Sequence, residues 1–285
     1  MLIPIEWLKK LNEELRAAGI DHRRRPWEAM RRYSIEFKTS FSLPSPIADE
    51  IFSWFKAYEP LGASEIGPLY QSVYYYDAAF WPVSIPHFLG TVRLNALDCL
   101  QDMPTAVKSD LTSANRSAWD YIVFWADCVD YAAGVNDLLK RKDVDERGLQ
   151  FLAAGDQELR SSVSLLKERR PNARAILTSR MATEMFLKAF IAFRAGLTDK
   201  EARALNHDLD ACFDRFIEVS RYTHWAHVKN RLAVYPAIAA RYEEQSHPPT
   251  ALWEGFALAQ SFGTVLAREM TGRNLLSQVL SNDAP

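Results

Sequence analysis

The sequence predicts a mainly α protein with a small antiparallel sheet, and three observations carry that expectation. The C-terminal half strings long amphipathic segments between capping signals. A run of aromatic, β-prone residues between Leu69 and Leu94 supplies short strands. The composition, 48% hydrophobic and 25% charged over 285 residues, is that of ordinary globular material with enough apolar content for a large core. The expected division is an N-terminal α+β module over residues 1–140, a charged linker over 141–148 and a helical bundle over 149–285.

Taken in order, Ile5, Leu8, Leu11 and Leu15 fall at helical spacing and predict an opening helix that stops at Gly19. From Tyr33 to Leu43 the chain alternates apolar and polar residues, which predicts a half-buried strand ended by Pro44 and Pro46. Ile47, Ile51, Phe52, Trp54 and Phe55 predict a helix running to Glu59-Pro60. Three short strands are then expected, at Leu69–Tyr76, Phe80–Ile85 and Phe88–Leu94. The aromatic run Tyr74-Tyr75-Tyr76 with Phe80 and Trp81 reads as sheet core. Ala114 to Lys140 carries a wide apolar arc through Ala118, Ile122, Trp125 and Val129, so this helix is expected to be buried between the two halves.

The stretch from Ala173 to Phe216 is the most informative. Pro171 and Asn172 suit a helix start. Ile176, Leu177, Met181, Met185, Phe190 and Ile191 make an apolar face, while Arg180, Glu184 and Lys188 step along the opposite one. In that order the Glu–Lys pair is worth ~0.3 kcal/mol on an exposed helix. Gly196 marks the C-terminus, and Thr198-Asp199-Lys200-Glu201 is a capping-box pattern. Asn206 or Asp208 caps the next helix, whose apolar face is Leu209, Cys212, Phe213, Phe216 and Ile217.

The string SRMATEMFLKAFIAFRAG followed by NHDLDACFDRF resembles the central helices of HEPN domains, as do the segments from Asp156 to Arg170, Ala240 to Glu243 and Ala251 to Met270. The resemblance covers under half the chain. It implies an antiparallel helical bundle after the N-terminal module, dimerisation through the bundle, and an RNA or protein partner of the kind met in toxin–antitoxin pairs and antiviral defence. Catalytic members of the family are metal-independent ribonucleases that use an arginine and a histidine four to six residues apart. A histidine can move protons near neutral pH while an arginine stabilises charge on a phosphorane. Arg221 with His227 and Arg241 with His247 fit that spacing, and Arg16 with His22 fits it outside the resembling region. Tyr222 and Tyr242 stand where catalytic members often carry a polar residue, and His247 precedes Pro248-Pro249. A non-catalytic binding protein is therefore the expected function, with a ribonuclease built on an Arg-x5-His pair as the alternative.

Other candidates are weaker. Arg23, Arg24, Arg25, Arg31 and Arg32, interleaved with Trp27 and Tyr33, could grip phosphate and stack a base, or pair with carboxylates on the surface. His207 reads as a structural residue at a helix start. His224 and His227 have no third ligand at matching spacing, and Asp98, Asp102, Asp127, Asp130 and Asp137 lack a metal-nuclease pattern, so neither metal nor cofactor is expected. A net charge of −2 gives no global pull toward nucleic acid. Cys99, Cys128 and Cys212, widely spaced and odd in number, read as reduced buried thiols. The first residues do not read as a signal peptide and no apolar run approaches a membrane span, so the cytoplasm is the expected location.

Overall fold

The computed structural model describes residues 3–39, 45–58, 67–87 and 94–282. It is mainly helical with one two-stranded antiparallel sheet. The chain divides into two compact units, Met1–Gly67 and Pro68–Pro285. Residues 141–148, the expected linker, lie inside the second unit: 141–145 belong to a connection between two of its helices and 146–148 to the start of the second of them.

In the first unit α1 spans Ile5–Ala17 and buries Leu8, Leu11 and Leu15. Gly19 follows at φ 67°, and the amide of Ile20 returns to the carbonyl of Leu15 at 2.9 Å, closing the helix in the way only a positive φ allows. A 3₁₀ turn over His22–Arg24 leads into α2, Arg25–Glu36, and α3 spans Pro46–Lys56 behind an N-cap from Ser45. The expected strand from Tyr33 is corrected here: Tyr33–Glu36 is the last turn of α2, and the Phe37 amide bonds the Tyr33 carbonyl at 2.9 Å. Residues 40–43 of that expected strand lie outside the described residues. The helix wins because Pro26 opens it, Glu28 links Arg31 and Arg32 along one face, and Pro26, Ala29, Met30 and Tyr33 bury together. The alternation that suggested a strand instead leaves Ile35 and Phe37 exposed, at 64% and 45%.

The second unit begins with the hairpin. β1, Tyr70–Tyr76, pairs with β2, Ala79–Ile85, in a register that sets Tyr70 opposite Ile85 and Tyr76 opposite Ala79. Asp77 and Ala78 both have positive φ, at 49° and 57°, the two-residue turn whose twist suits a hairpin. Most of the third expected strand, residues 88–93, lies outside the described residues. A 3₁₀ turn over Ala96–Cys99 and the short α4, Thr105–Ser113, precede α5, Asn115–Leu138. Next come α6, Glu146–Leu166, and α7, Ala175–Ala195. The capping box forms as expected at Thr198 and Glu201 and opens α8, Asp199–Leu205; Asp208 caps α9, Leu209–Ser220. Two 3₁₀ segments, Thr223–Val234 and Ile238–Tyr242, run to α10, Pro249–Thr271, and α11 spans Leu275–Asn282.

The packing centres on α7, which is covered by α6, α9 and α10, while α5 lies between α10 and the hairpin. Close approach depends on glycine at several crossings, of which Gly263 and Gly155 lie beside core aromatics. A Cβ on Gly263 would stand 2.6 Å from Tyr131, and one on Gly155 2.7 Å from Phe186. Tyr74 of the hairpin is buried against Tyr121, Phe124 and Trp253, so one residue of the aromatic run is core as expected, while Tyr75, Tyr76, Phe80 and Trp81 are half-buried. The three cysteines are free and buried.

Candidate functional site

The charged residues of α7 define the most developed site. Arg180, Glu184 and Lys188 do share one face, but that face is buried, at 5%, 0% and 5% exposure. It points to the turn between α8 and α9. Lys188 Nζ donates to Glu184 Oε1 at 2.7 Å and to the Asn206 carbonyl, and Arg180 Nη2 donates to the His207 carbonyl at 2.6 Å. Asn206 has φ 43°, a conformation that two captured carbonyls help to hold. His207 turns Nδ1 to the two Glu184 oxygens, at 3.1 and 3.2 Å, while Asp208 accepts from the Ala211 amide at 3.0 Å. The Asn206-His207-Asp208 motif is thus locked onto α7 by three charged side chains and caps α9 with its last residue.

A cleft of about 680 Å³ opens beside this lock. Arg180, His207, Asp208, Asp210 and Lys229 are its charged and titratable lining, with Leu209, Leu232, Tyr235, Pro236 and Ile238 as apolar wall. The imidazole of His207 is 42% exposed, whereas Glu184 behind it is fully buried. Burial lowers the pKa of the Arg180 guanidinium, an effect opposed by the neighbouring Glu184. Arg180 Nη1 stands 3.6 Å from Glu184 Oε2 and has no hydrogen-bond partner among the described residues. Lys229 is occupied by Asp214, with both carboxylate oxygens at 2.6 Å.

The arginine–histidine pairs of the sequence lie elsewhere. Arg221 is the left-handed C-cap of α9, at φ 61°, and not part of a helix running on to Arg231. His227 lies on the following 3₁₀ segment, exposed, with Nδ1 2.7 Å from the His224 carbonyl. Arg241 lies over the ring of Tyr242 at 4.6 Å, and His247 bonds the side chain of Gln245 at 3.0 Å in the extended segment before α10. Arg16 closes α1, and His22 starts the next 3₁₀ turn. None of these histidines bonds its arginine among the described residues.

The arginine cluster of the first unit is largely committed to its own fold. Arg25 is buried and donates to the Ile20 carbonyl at 2.8 Å and to Asn12 at 3.2 Å. Arg31 and Arg32 share Glu28, Arg32 also reaches Glu14, and Trp27 packs against Phe52. Hydrogen bonds from Arg31 hold the Glu28 carboxyl down at about 2. Arg23 and Arg24 are exposed.

Several of the aspartates act as fasteners. Buried Asp130 accepts from Arg268 Nε at 2.7 Å and from the Leu275 amide at 2.9 Å, and Arg273 pairs with Asp137. Burial raises the Asp127 carboxyl to about 6 in spite of its contact with Arg268. Asp98 and Asp102 are exposed. No group of three or more metal-ligating side chains occurs among the described residues.

The class these features define is a helical bundle with an appended hairpin and a polar cleft. Comparison with protein-family models, with curated proteins and with solved structures finds no match to this chain. Among the described residues no helix is long and apolar enough to cross a membrane.

Proposed function

We propose that this chain is a non-catalytic, cytoplasmic binding protein that engages an RNA or a protein partner, in a toxin–antitoxin or antiviral-defence setting, and that it pairs with a second copy through its bundle. The observation that carries this reading is the cleft beside α7, in which charged and apolar groups converge on one open volume of about 680 Å³. The separate placement of Arg221 and His227 supports it, since metal-independent RNA cleavage needs acid–base and charge-stabilising groups at one phosphate. A second reading stays open on one observation. Arg221 and His227 are both exposed, so two copies could present them to each other as an endoribonuclease centre.

The deciding experiment incubates the purified protein with end-labelled total RNA in excess EDTA, beside Arg221→Ala and His227→Ala variants. The binding reading expects intact RNA in every lane. Metal-independent cleavage that both variants abolish would replace it with the ribonuclease.

A further inference from the structure

The cleft beside α7 is lined by charges of both signs, Arg180 and Lys229 against Asp208 and Asp210. Two permanent cations, Arg180 and Lys188, share the single buried carboxylate of Glu184. One guanidinium nitrogen of Arg180, a cleft-lining residue only 5% exposed, has no hydrogen-bond partner among the described residues. His207 is fixed through Nδ1 on Glu184, which leaves Nε2 as the nitrogen available to a ligand. The unpartnered Arg180 nitrogen therefore calls for an acceptor, and a carboxylate supplies one of opposite charge. The lining is different where it is exposed: Asp208 and Asp210 lie there, and Lys229 is already paired with Asp214. Leu209, Leu232, Tyr235 and Ile238 give the cleft an apolar wall.

We propose that this cleft receives a short segment of a partner protein: one carboxylate at the Arg180–His207 end, apolar side chains along the wall, and a basic residue over Asp208 and Asp210. Charge complementarity selects this occupant. A nucleic-acid strand carries a charge at every nucleotide and would bring phosphates against the two exposed aspartates. A peptide can place one negative charge inside and a positive one outside. The volume suits a few side chains, being within the roughly 300–1,000 Å³ of small-ligand sites. The proposal rests on the binding-protein reading and names the partner chemistry of the same site.

The test selects a phage-displayed library of random dodecapeptides on the full chain. Enriched peptides are then synthesised and titrated by fluorescence polarisation against wild type, His207→Ala and Asp210→Lys. His207 is half-exposed but bonds buried Glu184, so retention of the fold in His207→Ala is checked by circular dichroism, while the neutralised peptide and Asp210→Lys, at an exposed position, test the proposal without touching that bond. The expected selection carries an aspartate, a glutamate or a free C-terminus beside apolar residues. Neutralising that carboxylate should weaken binding at least tenfold, as should His207→Ala, and Asp210→Lys should weaken peptides with a basic residue outside the acid. Three results would overturn the proposal: no enrichment, enriched peptides that lack a common carboxylate or bind His207→Ala equally well, or displacement by oligoadenylate at equal affinity. RNA cleavage lost in Arg221→Ala would instead defeat the binding-protein reading itself, so the two failures are distinguishable.

Discussion

Lys188 Nζ lies 2.7 Å from Oε1 of Glu184 inside the protein, with the carboxylate wholly shielded from solvent. On an exposed helix such a pair contributes a few tenths of a kcal/mol. Buried, it becomes a structural requirement, because Arg180, Lys188 and His207 all depend on the same carboxylate.

Glu184→Gln should therefore destabilise the second unit by ~3–5 kcal/mol, the range for breaking a buried pair and leaving its cations uncompensated. Urea unfolding checks this. A loss under ~1 kcal/mol would show that water or rearrangement compensates Arg180 and Lys188.

Asp130→Ala should loosen α11 before it unfolds the bundle, since this aspartate ties both Arg268 and the Leu275 amide. Losing a charged hydrogen-bond acceptor of this kind costs ~1.5–3 kcal/mol. Native-state hydrogen exchange should show the Leu275 amide exchanging at least tenfold faster, with the α7 amides changed less.

Gly263→Ala should cost ~1–3 kcal/mol through overpacking, because the new methyl would stand 2.6 Å from Tyr131 and 3.0 Å from Phe186. Gly67→Ala is the control: no atom of the described residues lies within 4 Å of its Cβ position, and a change within ~0.5 kcal/mol is expected. Thermal melts of both variants settle the comparison.

The first unit should carry an acid-dependent component at Glu28. Its folded pKa, about 2, lies below the ordinary 4.5, so the stabilisation is present above about 4.5 and is lost as pH falls through about 2. Because Arg31 and Arg32 are substantially exposed, the contribution is screened to ~1 kcal/mol or less. Glu28→Gln should remove it, and the stability difference from wild type should shrink to nothing below pH 2.

Much of the helical architecture could be read from the sequence, because capping signals and 3.6-residue periodicity are local. Thr198 and Glu201 form the capping box that their spacing announces, and Asp208 caps α9. The hairpin was equally legible, its β-prone runs flanking Asp77-Ala78. Tyr33–Leu43 misled because its alternation is compatible with two periods; Pro26 and the burial of Ala29, Met30 and Tyr33 decide for the helix as far as Glu36. The buried charges of α7 were hidden for a different reason. Charges spaced by four residues look the same whether water or another turn of chain faces them. One signal was available: α7 is apolar or small at almost every other position, which leaves little room for a solvated face. The cleft joins α7 to a segment some fifty residues downstream, and no local pattern encodes that meeting.

The three cysteines sit at 4%, 0% and 0% exposure, and burial raises the pKa of each thiol. Thiolate is the reactive form, so the folded chain should be nearly inert to alkylation at neutral pH. The wild-type molecule thus carries its own opening clock. Cys99 precedes α4, Cys128 lies in α5 and Cys212 in α9, so the order in which they become labelled under mild denaturant would report which part of the second unit separates first.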